Sequence, residues 1–343
     1  MNRAMNSKSA ISCRRCVLDS AIPGISFDDT GLCSICQKTA PEEELAEHRT
    51  KSRREMEEAI SKARGARPYD CVVAFSGGKD SSYVLKMLVE TYGLACLAVT
   101  IDNGFLSSGV VANCKAVCGK LGVDHIMFTP KSTFMTAMYR TSAVSEEMHP
   151  KSAIQRASSI CNSCINVINT HMLRIAVQQN IPMIAGGYIG GQLPKDTAVF
   201  RINLKANLRQ RDISVRRYVG HFGADAADYF SLPPNTPDRD IIVINPMLGL
   251  MLREDEIIGA LAPLGWMRPT DTGVTSTNCR LNDLGVYIHS RRHGFHPYIF
   301  EIADQVRHGL LGRGTAVSKL EALPRYDQVE WLAQRIGVGH NEI

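Results

Sequence analysis

The chain has 343 residues, of which 44% are hydrophobic and 21% are charged. A chain of this length and composition buries one large or two ordinary domain cores, which excludes disordered and fibrous proteins. The net charge of +5 permits an anionic ligand but does not demand nucleic acid. No run of about 18 apolar residues and no apolar segment near Met1 is present, so we expect a cytoplasmic protein without a membrane span.

Four of the eleven cysteines open the chain as two C-x-x-C pairs: Cys13, Cys16, Cys33 and Cys36. Two such knuckles at this spacing bring four thiolates around one tetrahedral zinc ion. We therefore predict that residues 1–40 form a zinc knuckle, with a strand-like fragment over residues 23–31. A structural Zn²⁺ is the favoured interpretation, and a zinc ion with its own chemistry is the alternative.

Charged residues dominate the next segment, residues 41–66, which predicts a solvated linker helix. Short apolar runs then alternate with helical patterns. Strands are predicted at residues 69–75, 94–101, 124–128, 181–185 and 241–245, and helices at 83–92, 110–121 and 165–179. This alternation predicts an α/β fold with a doubly wound parallel sheet over residues 67–250. A mostly helical region is expected over residues 251–343.

A glycine-rich loop connects the first predicted strand to its helix. It reads Ser76, Gly77, Gly78, Lys79, Asp80 and Ser81. Glycines let backbone N–H groups approach an anion, the lysine adds a cation, and a helix N-terminus adds partial positive charge. The spacing differs from that of the common nucleotide-binding P-loop, so a generic kinase or GTPase is excluded. The loop therefore predicts a phosphate site of another kind.

At all six positions this loop resembles the pyrophosphate loop (PP-loop) of the N-type ATP pyrophosphatases, an adenine nucleotide alpha hydrolase-like fold. The resemblance implies an enzyme that binds ATP and Mg²⁺, adenylates a carbonyl oxygen and releases pyrophosphate. The six loop residues would hold the triphosphate, with Lys79 and Asp80 acting in catalysis and Asp80 sharing Mg²⁺. Asp102, at the end of the next strand, either faces the nucleotide or caps the following helix.

A third C-x-x-C pair, Cys161 and Cys164, stands before a predicted helix, and Cys279 is the one cysteine that follows it. This order is similar to that of the tRNA 2-thiocytidine and 2-thiouridine synthetases of the same superfamily. The similarity implies a [4Fe–4S] cluster on these three cysteines, with one iron open. A catalytic persulfide pair, a second zinc site and plain buried cysteines are the alternatives. Gly187–Tyr188 replaces the usual Gly-His of those enzymes.

The N-terminal half is also similar to the N-acetyl sugar amidotransferases of surface-polysaccharide biosynthesis, on its knuckle sequence and the loop that follows. Three functions therefore stay open: a sulfurtransferase that replaces the activated oxygen with sulfur, an amidotransferase supplied by a partner glutaminase, and a zinc-ribbon nucleotide-binding regulator. The first is favoured. We expect a small-molecule substrate rather than tRNA, no membrane, a sulfur donor protein as a partner, and a homodimer as an open alternative.

Two further groups of side chains carry charge or donor atoms. Basic residues are dense over residues 201–217, which is consistent with a solvated face or an anion site. His289 and His293 share a helix face, and Gly294 is expected to end that helix before His296. A solvated or anion-contacting patch is favoured for these histidines over a metal site.

Overall fold

A computed structural model describes residues 11–65, 68–193, 197–322 and 324–342. Its centre is one six-stranded sheet in the order β3-β2-β1-β4-β6-β5. The strands are β1 (Cys71–Ala74), β2 (Cys96–Ile101), β3 (Asp124–Phe128), β4 (Met183–Ala185), β5 (Val199–Asn203) and β6 (Asp240–Ile244).

The sheet is parallel except at one edge, where β5 pairs antiparallel with β6. The predicted α/β fold with a parallel sheet is confirmed. Strand β5 was not predicted from the sequence, because residues 201–217 were interpreted only as a basic segment. Arg201 and the exposed Phe200 alternate on a mostly solvent-facing edge, so the apolar signal of a buried strand is absent there.

Fourteen α-helices occur in the described part of the chain. They are α1 (Ser34–Gln37), α2 (Glu42–Ala63), α3 (Lys79–Glu90), α4 (Ser108–Leu121), α5 (Ser132–Val144), α6 (Lys151–Ile154), α7 (Ser159–Gln178), α8 (Leu204–Phe222), α9 (Ala226–Phe230), α10 (Glu254–Leu261), α11 (Leu281–His293), α12 (Ile299–Arg307), α13 (Arg313–Glu321) and α14 (Tyr326–Arg335). None of these helices is long and apolar enough to cross a membrane.

The central strands are buried on both faces, as expected for a sheet covered by helices on two sides. On one face, Val73 packs in a core with residues of α2, α3, α4 and α10. On the other face, Val72 packs in a second core with α7, represented by Leu173. Helix α10 therefore belongs to the same core as the phosphate-loop helix α3.

Helix α2 differs from the solvated linker that its charge predicted. Met56, Ala59, Ile60 and Ala63 are buried against the sheet core. These residues follow the i, i+3, i+4, i+7 spacing of one helix face, so a narrow apolar stripe anchors an otherwise charged helix. One face of α2 therefore packs in the core, and the rest of the helix is charged surface.

Two further cores lie outside the sheet. One joins α5, α7, α11 and α14 around the buried Tyr139 and Leu284. The other packs the N-terminal knuckle on α12 and α13, where Leu18 and Ile22 meet Ile302. The knuckle holds isolated bridges, such as Phe27 with Cys33, instead of the predicted strand, because its chain turns too tightly for a ladder.

The chain order of the strands positions the functional edge of the sheet. From β1 the chain moves outward through β2 to β3, and then returns to place β4 on the other side of β1. Such a reversal opens a crevice at the carboxyl ends of the two strands, where α/β proteins bind ligands. The glycine-rich loop follows β1 at this point.

Candidate functional site

The loop from Ser76 to Ser81 joins β1 to α3 at this crevice. Gly77 has a φ of +69°, and a Cβ there would lie 2.7 Å from the Cys114 sulfur. Only glycine fits both the backbone conformation and the space. The buried indole of Trp266 donates a hydrogen bond to the Gly77 carbonyl oxygen at 2.9 Å, which fixes the loop from the side of α10.

Lys79 begins α3 and therefore lies at the positive end of that helix. Its ammonium contacts the Asp80 carboxylate at 2.7 Å. Burial is the largest influence on the pKa of Lys79 and lowers it, but the hydrogen bond and charge of Asp80 together with the charges of Glu254 and Glu301 outweigh burial, and the net pKa is raised. The lysine therefore stays a cation at a helix N-terminus, which is an arrangement that binds phosphate.

Two more carboxylates influence this cation from the C-terminal helices. Burial raises the pKa of Glu301 on α12 to about 7, and Gln192 donates a hydrogen bond to its carboxylate at 2.9 Å. Glu254 is also buried, but hydrogen bonds from Lys319 and Arg268 lower its pKa to about 2. At neutral pH the first carboxyl group is poised near its titration point and the second is ionised.

Asp102 lies at the carboxyl end of β2, on the same edge of the sheet. One of its carboxylate oxygens accepts a hydrogen bond from the Gly104 backbone at 3.0 Å, which closes a local turn. The alternative that Asp102 caps the next helix is wrong, because Ser107 is the N-cap of α4 and accepts from Gly109. A contact with nucleotide stays a prediction.

Cys161 lies in the first turn of α7 and Cys164 in the second, so the expectation that a helix starts only near residue 165 is wrong. Ser158 caps this helix by accepting a hydrogen bond from the Cys161 backbone at 3.2 Å. The two thiols are three residues apart and share one helix face. A helix N-terminus favours thiolate or another anion, so this position suits sulfur chemistry.

Cys279 reaches the same place from a distant segment, residues 276–279. Within it, Thr277 accepts a hydrogen bond from the Lys79 backbone N–H at 3.1 Å, and Cys279 pairs in a bridge with Leu106. A Cβ on Gly78 would lie 3.0 Å from the Thr277 hydroxyl oxygen. One four-residue segment therefore contacts the phosphate loop and supplies a thiol.

Polar side chains connect the three sulfurs. Asn103 donates from its amide to the Cys279 sulfur at 3.3 Å and to the Cys164 sulfur at 3.7 Å. Asn282 on α11 donates to the Cys161 sulfur at 3.6 Å. The three cysteines therefore surround one volume, although more than a hundred residues separate Cys164 from Cys279.

The donor set fits a cluster better than a single ion. Among the described residues, the sets of donor atoms lying within 4.8 Å of one another do not include Cys161, Cys164 and Cys279 together. One tetrahedral zinc ion requires sulfurs only about 3.8 Å apart, given Zn–S bonds of about 2.3 Å. A cubane binds each thiolate through a separate iron, and three thiolates leave its fourth iron without a protein ligand.

Without a metal the thiols of Cys164 and Cys279 are protonated at neutral pH. Burial, followed by the neighbouring Cys164, raises the pKa of Cys279 to about 12. Burial also raises the pKa of Cys164 against the hydrogen bonds from Tyr139 and Asn103. Metal coordination deprotonates a thiol outright, so the amide donors are placed for a thiolate that a metal stabilises.

The four N-terminal cysteines form a separate metal-ligand cluster in which all four thiols are buried and their sulfurs lie within 4.8 Å of one another. The sulfurs of Cys16 and Cys33 are 3.8 Å apart, the spacing of ligands around one tetrahedral ion. Backbone N–H groups point at these sulfurs, as in the 3.3 Å hydrogen bond from Cys33 to the Cys13 sulfur. The positions of the four sulfurs therefore agree with the four-thiol metal site that the cysteine spacing predicts.

Five side chains that contact the cysteines or influence Lys79 were not predicted from the sequence: Asn103, Tyr139, Thr277, Asn282 and Glu301. Only two of them carry a local signal. Asn103 follows Asp102 at the end of a strand, and Thr277 stands two residues before Cys279. The other three belong to helices whose patterns indicate only core packing, so their role depends on the tertiary arrangement.

The histidines and the basic segment also have definite positions. His289 and His293 lie on α11, which Gly294 ends in a left-handed conformation before His296, as predicted. The expected solvated patch is wrong for His289, which is 1% exposed. Residues 201–217 span β5 and part of α8, where most of the basic side chains are exposed.

Three comparisons place this chain among known proteins. A family model described as queuosine biosynthesis protein QueC matches residues 70–188. An uncharacterised protein of Methanocaldococcus jannaschii is 25% identical over 273 residues, which are 79% of each chain. The solved structure of the U34-tRNA thiolase NcsA from Methanococcus maripaludis with its [4Fe-4S] cluster is 15% identical, with a TM-score of 0.35, covering 92% of this chain and 90% of that chain.

Proposed function

We propose that the protein is an enzyme of the PP-loop ATP pyrophosphatase kind, which uses ATP to activate a carbonyl oxygen of its substrate and replaces that oxygen with sulfur. The match of residues 70–188 to the QueC family model supports this proposal. One observation carries this proposal. Thr277 binds the backbone of Lys79 in the phosphate loop, and Cys279, two residues later, completes the three-cysteine site. Activation and sulfur delivery would therefore occur at adjoining surfaces of one crevice.

In the first half-reaction the substrate oxygen attacks the α-phosphorus of ATP, and pyrophosphate leaves. The loop N–H groups and the Lys79 ammonium stabilise the negative charge that develops on the leaving group. The triphosphate competes with Asp80 for Lys79, so the ion pair opens on binding and Asp80 becomes available to Mg²⁺. The product is an adenylate, a carbon bound to oxygen that carries AMP.

In the second half-reaction a sulfide attacks the activated carbon, and AMP leaves with the original oxygen. Cys161, Cys164 and Cys279 would hold a [4Fe–4S] cluster, which supplies an open iron that can carry the sulfide. Asn103 and Asn282 stabilise the thiolates by hydrogen bonds and keep their sulfurs in position. A partner protein that donates sulfur would replenish the sulfide.

The knuckle supports this chemistry indirectly in our proposal. Cys13, Cys16, Cys33 and Cys36 would bind one structural Zn²⁺, and the folded knuckle packs on α12. Helix α12 in turn presents Glu301 toward Lys79, so the knuckle would determine where that carboxyl group lies. The acceptor is proposed to be a small molecule, because aromatic residues for stacking on single-stranded RNA make up only 6% of the chain.

Metal analysis after anaerobic purification tests the proposal without a known substrate. We expect about four iron and four sulfide per chain beside one zinc, with absorption near ~400 nm. Cys164→Ser is expected to lose the iron and keep the zinc. Cys118→Ala, a buried cysteine on α4 away from both sites, is the matched control and is expected to keep both. Zinc without iron in the native protein would overturn the cluster assignment.

Turnover separates sulfur transfer from its rivals. Anaerobic protein with ATP, Mg²⁺ and sulfide is incubated with pools of carbonyl-containing metabolites or with total tRNA, and pyrophosphate and product mass are measured. We expect a product heavier by the difference between sulfur and oxygen, which Cys164→Ser cannot form. Equal turnover of Cys161→Ala with ammonium salts would instead establish nitrogen transfer. ATP binding without pyrophosphate release from any pool would favour a regulator.

A further inference from the structure

A second group of metal-ligating side chains lies near the C-terminal end of α11, away from the cysteines. The donor atoms of Glu146, His289 and His293 all lie within 4.8 Å of one another. The two histidines are one turn apart on the same helix face, and their ring centroids are 4.4 Å apart. Glu146 comes from the segment between α5 and α6, so the group joins two separate parts of the chain.

His289 is the unusual member of the group. It is 1% exposed, and neither of its ring nitrogens has a hydrogen-bond partner among the residues that the structure describes. Buried polar atoms in native proteins are nearly always bonded, because leaving them desolvated and unpaired is costly. Phe295 packs edge-on against the His289 ring with centroids 5.1 Å apart, and this contact supplies no acceptor or donor. The ring therefore lacks the partner that its burial requires.

Glu146 and His293 are held beside the His289 ring by contacts of their own. The His293 Nε2 atom lies 2.9 and 3.0 Å from the two carboxylate oxygens of Glu146. Arg292 contacts one of these oxygens at 3.1 Å and donates a hydrogen bond to the Ala143 carbonyl oxygen at 2.8 Å. The arginine thus orients the carboxylate from outside, as partners of metal-binding carboxylates do.

We infer that Glu146, His289 and His293 bind one divalent transition-metal ion of the zinc class. Two imidazoles separated by one helical turn and one carboxylate are a common donor set for such ions, and three protein ligands leave one position for water. A bound ion gives His289 its missing partner and ties α11 to the segment after α5. The site is distinct from the cysteine sites, since His289 lies about 10 Å along α11 from Asn282, the residue that contacts Cys161.

Cobalt titration tests this site in the full chain as purified, with its cysteine sites loaded. The protein is dialysed against a mild chelator, its residual metals are counted, and Co²⁺ is added. We expect one additional equivalent of cobalt with weak visible bands and no thiolate-to-cobalt charge transfer, because no sulfur is a ligand. Glu146→Gln and His293→Gln are expected to weaken this binding by at least about 100-fold, since each removes a direct ligand.

His289→Asn is expected to abolish binding of the additional equivalent of cobalt, and His296→Asn is its matched control. His296 is a neighbouring buried histidine outside the donor set, so its variant is expected to bind cobalt as the native chain does. Glu146 and His293 are partly exposed, with 19% and 24% of their side chains accessible, so their variants report even if His289→Asn fails to fold. The inference is overturned if the native chain takes up no extra cobalt, or if all three ligand variants bind it unchanged.

Discussion

The two cysteine sites of this protein differ in the burial, the hydrogen-bond donors and the spacing of their sulfurs. In the knuckle the thiols are fully buried, backbone N–H groups donate to them, and the sulfurs are close enough for one ion. In the crevice the thiols are partly exposed, side-chain amides donate to them, and the sulfurs are spread more widely. A closed site suits a structural metal and an open one suits chemistry, and this contrast supports our proposal that Cys161, Cys164 and Cys279 serve the reaction.

Helix α12 is the physical connection between these two regions. Its apolar face, including Ile299 and Ile302, packs in the core of the knuckle. Its Glu301 interacts with Lys79, and the preceding Tyr298 accepts a hydrogen bond from Asn282, the residue that contacts Cys161. Any effect of knuckle damage on the crevice should therefore pass through this one helix, and damage to the crevice should leave the knuckle intact.

The largest expected effect comes from Cys279→Ser. Loss of one of three ligands should remove the iron and lower formation of thiolated product by at least about 1,000-fold, as removal of an essential reacting group does. Zinc content and ATP binding should be unchanged, because the knuckle and the phosphate loop are intact. Iron and zinc analysis with a product assay checks this. Parallel loss of both metals would contradict the separation of the two sites.

Cys13→Ser should act on stability instead. Structural metal binding contributes directly to folding free energy, so we expect the free energy of unfolding to fall by about 3 kcal/mol or more. Thermal unfolding of native and variant chains at equal zinc concentration measures this loss. At a temperature where the variant is still folded, the iron at Cys161, Cys164 and Cys279 should remain. Complete loss of iron in the folded variant would show that the crevice depends on the knuckle.

Glu301→Gln tests the connecting helix through pH. The pKa of Glu301 is raised to about 7, so the folded chain keeps a proton between about pH 4.5 and 7 that the unfolded chain has released. This contribution stabilises the fold at low pH and is lost as the pH rises through 7, by about 3 kcal/mol in total. The glutamine variant should lack this slope. Denaturant titrations across this range compare the two chains, and identical slopes would exclude a protonated Glu301.

Thr277→Val should have the smallest effect. The substitution keeps the shape of the side chain but leaves the Lys79 N–H without its acceptor, at a cost of about 1–2 kcal/mol. Because that N–H belongs to the phosphate loop, we expect roughly 10-fold slower pyrophosphate release and little change in iron content. Steady-state kinetics with varied ATP measure the effect, and Thr91→Val, at the opposite end of α3 from the phosphate loop, is the control variant. Equal rates for both variants would remove Thr277 from the phosphate site.

Local patterns predicted much of the fold and part of the site. The strand–loop–helix unit around Gly77, the knuckle cysteines and the end of α11 at Gly294 each depend on residues within a few positions of one another. Local geometry is enough there, because a tight turn, a metal knuckle and a left-handed helix end have strict spacing rules. The predicted start of α7 was wrong, since its N-cap, Ser158, resembles any other serine before a cysteine pair.

The sequence by itself determined which chemical groups this protein can use, and the tertiary structure decided which of them meet. Cys279 joins Cys161 and Cys164 because the segment 276–279 packs against the loop after β1, a contact between residues almost two hundred positions apart. The packing of distant segments also buries His289 without a hydrogen-bond partner in the described part of the chain. Periodicity and spacing describe neighbours along the chain, whereas burial and long-range contacts depend on how all helices cover the sheet at once.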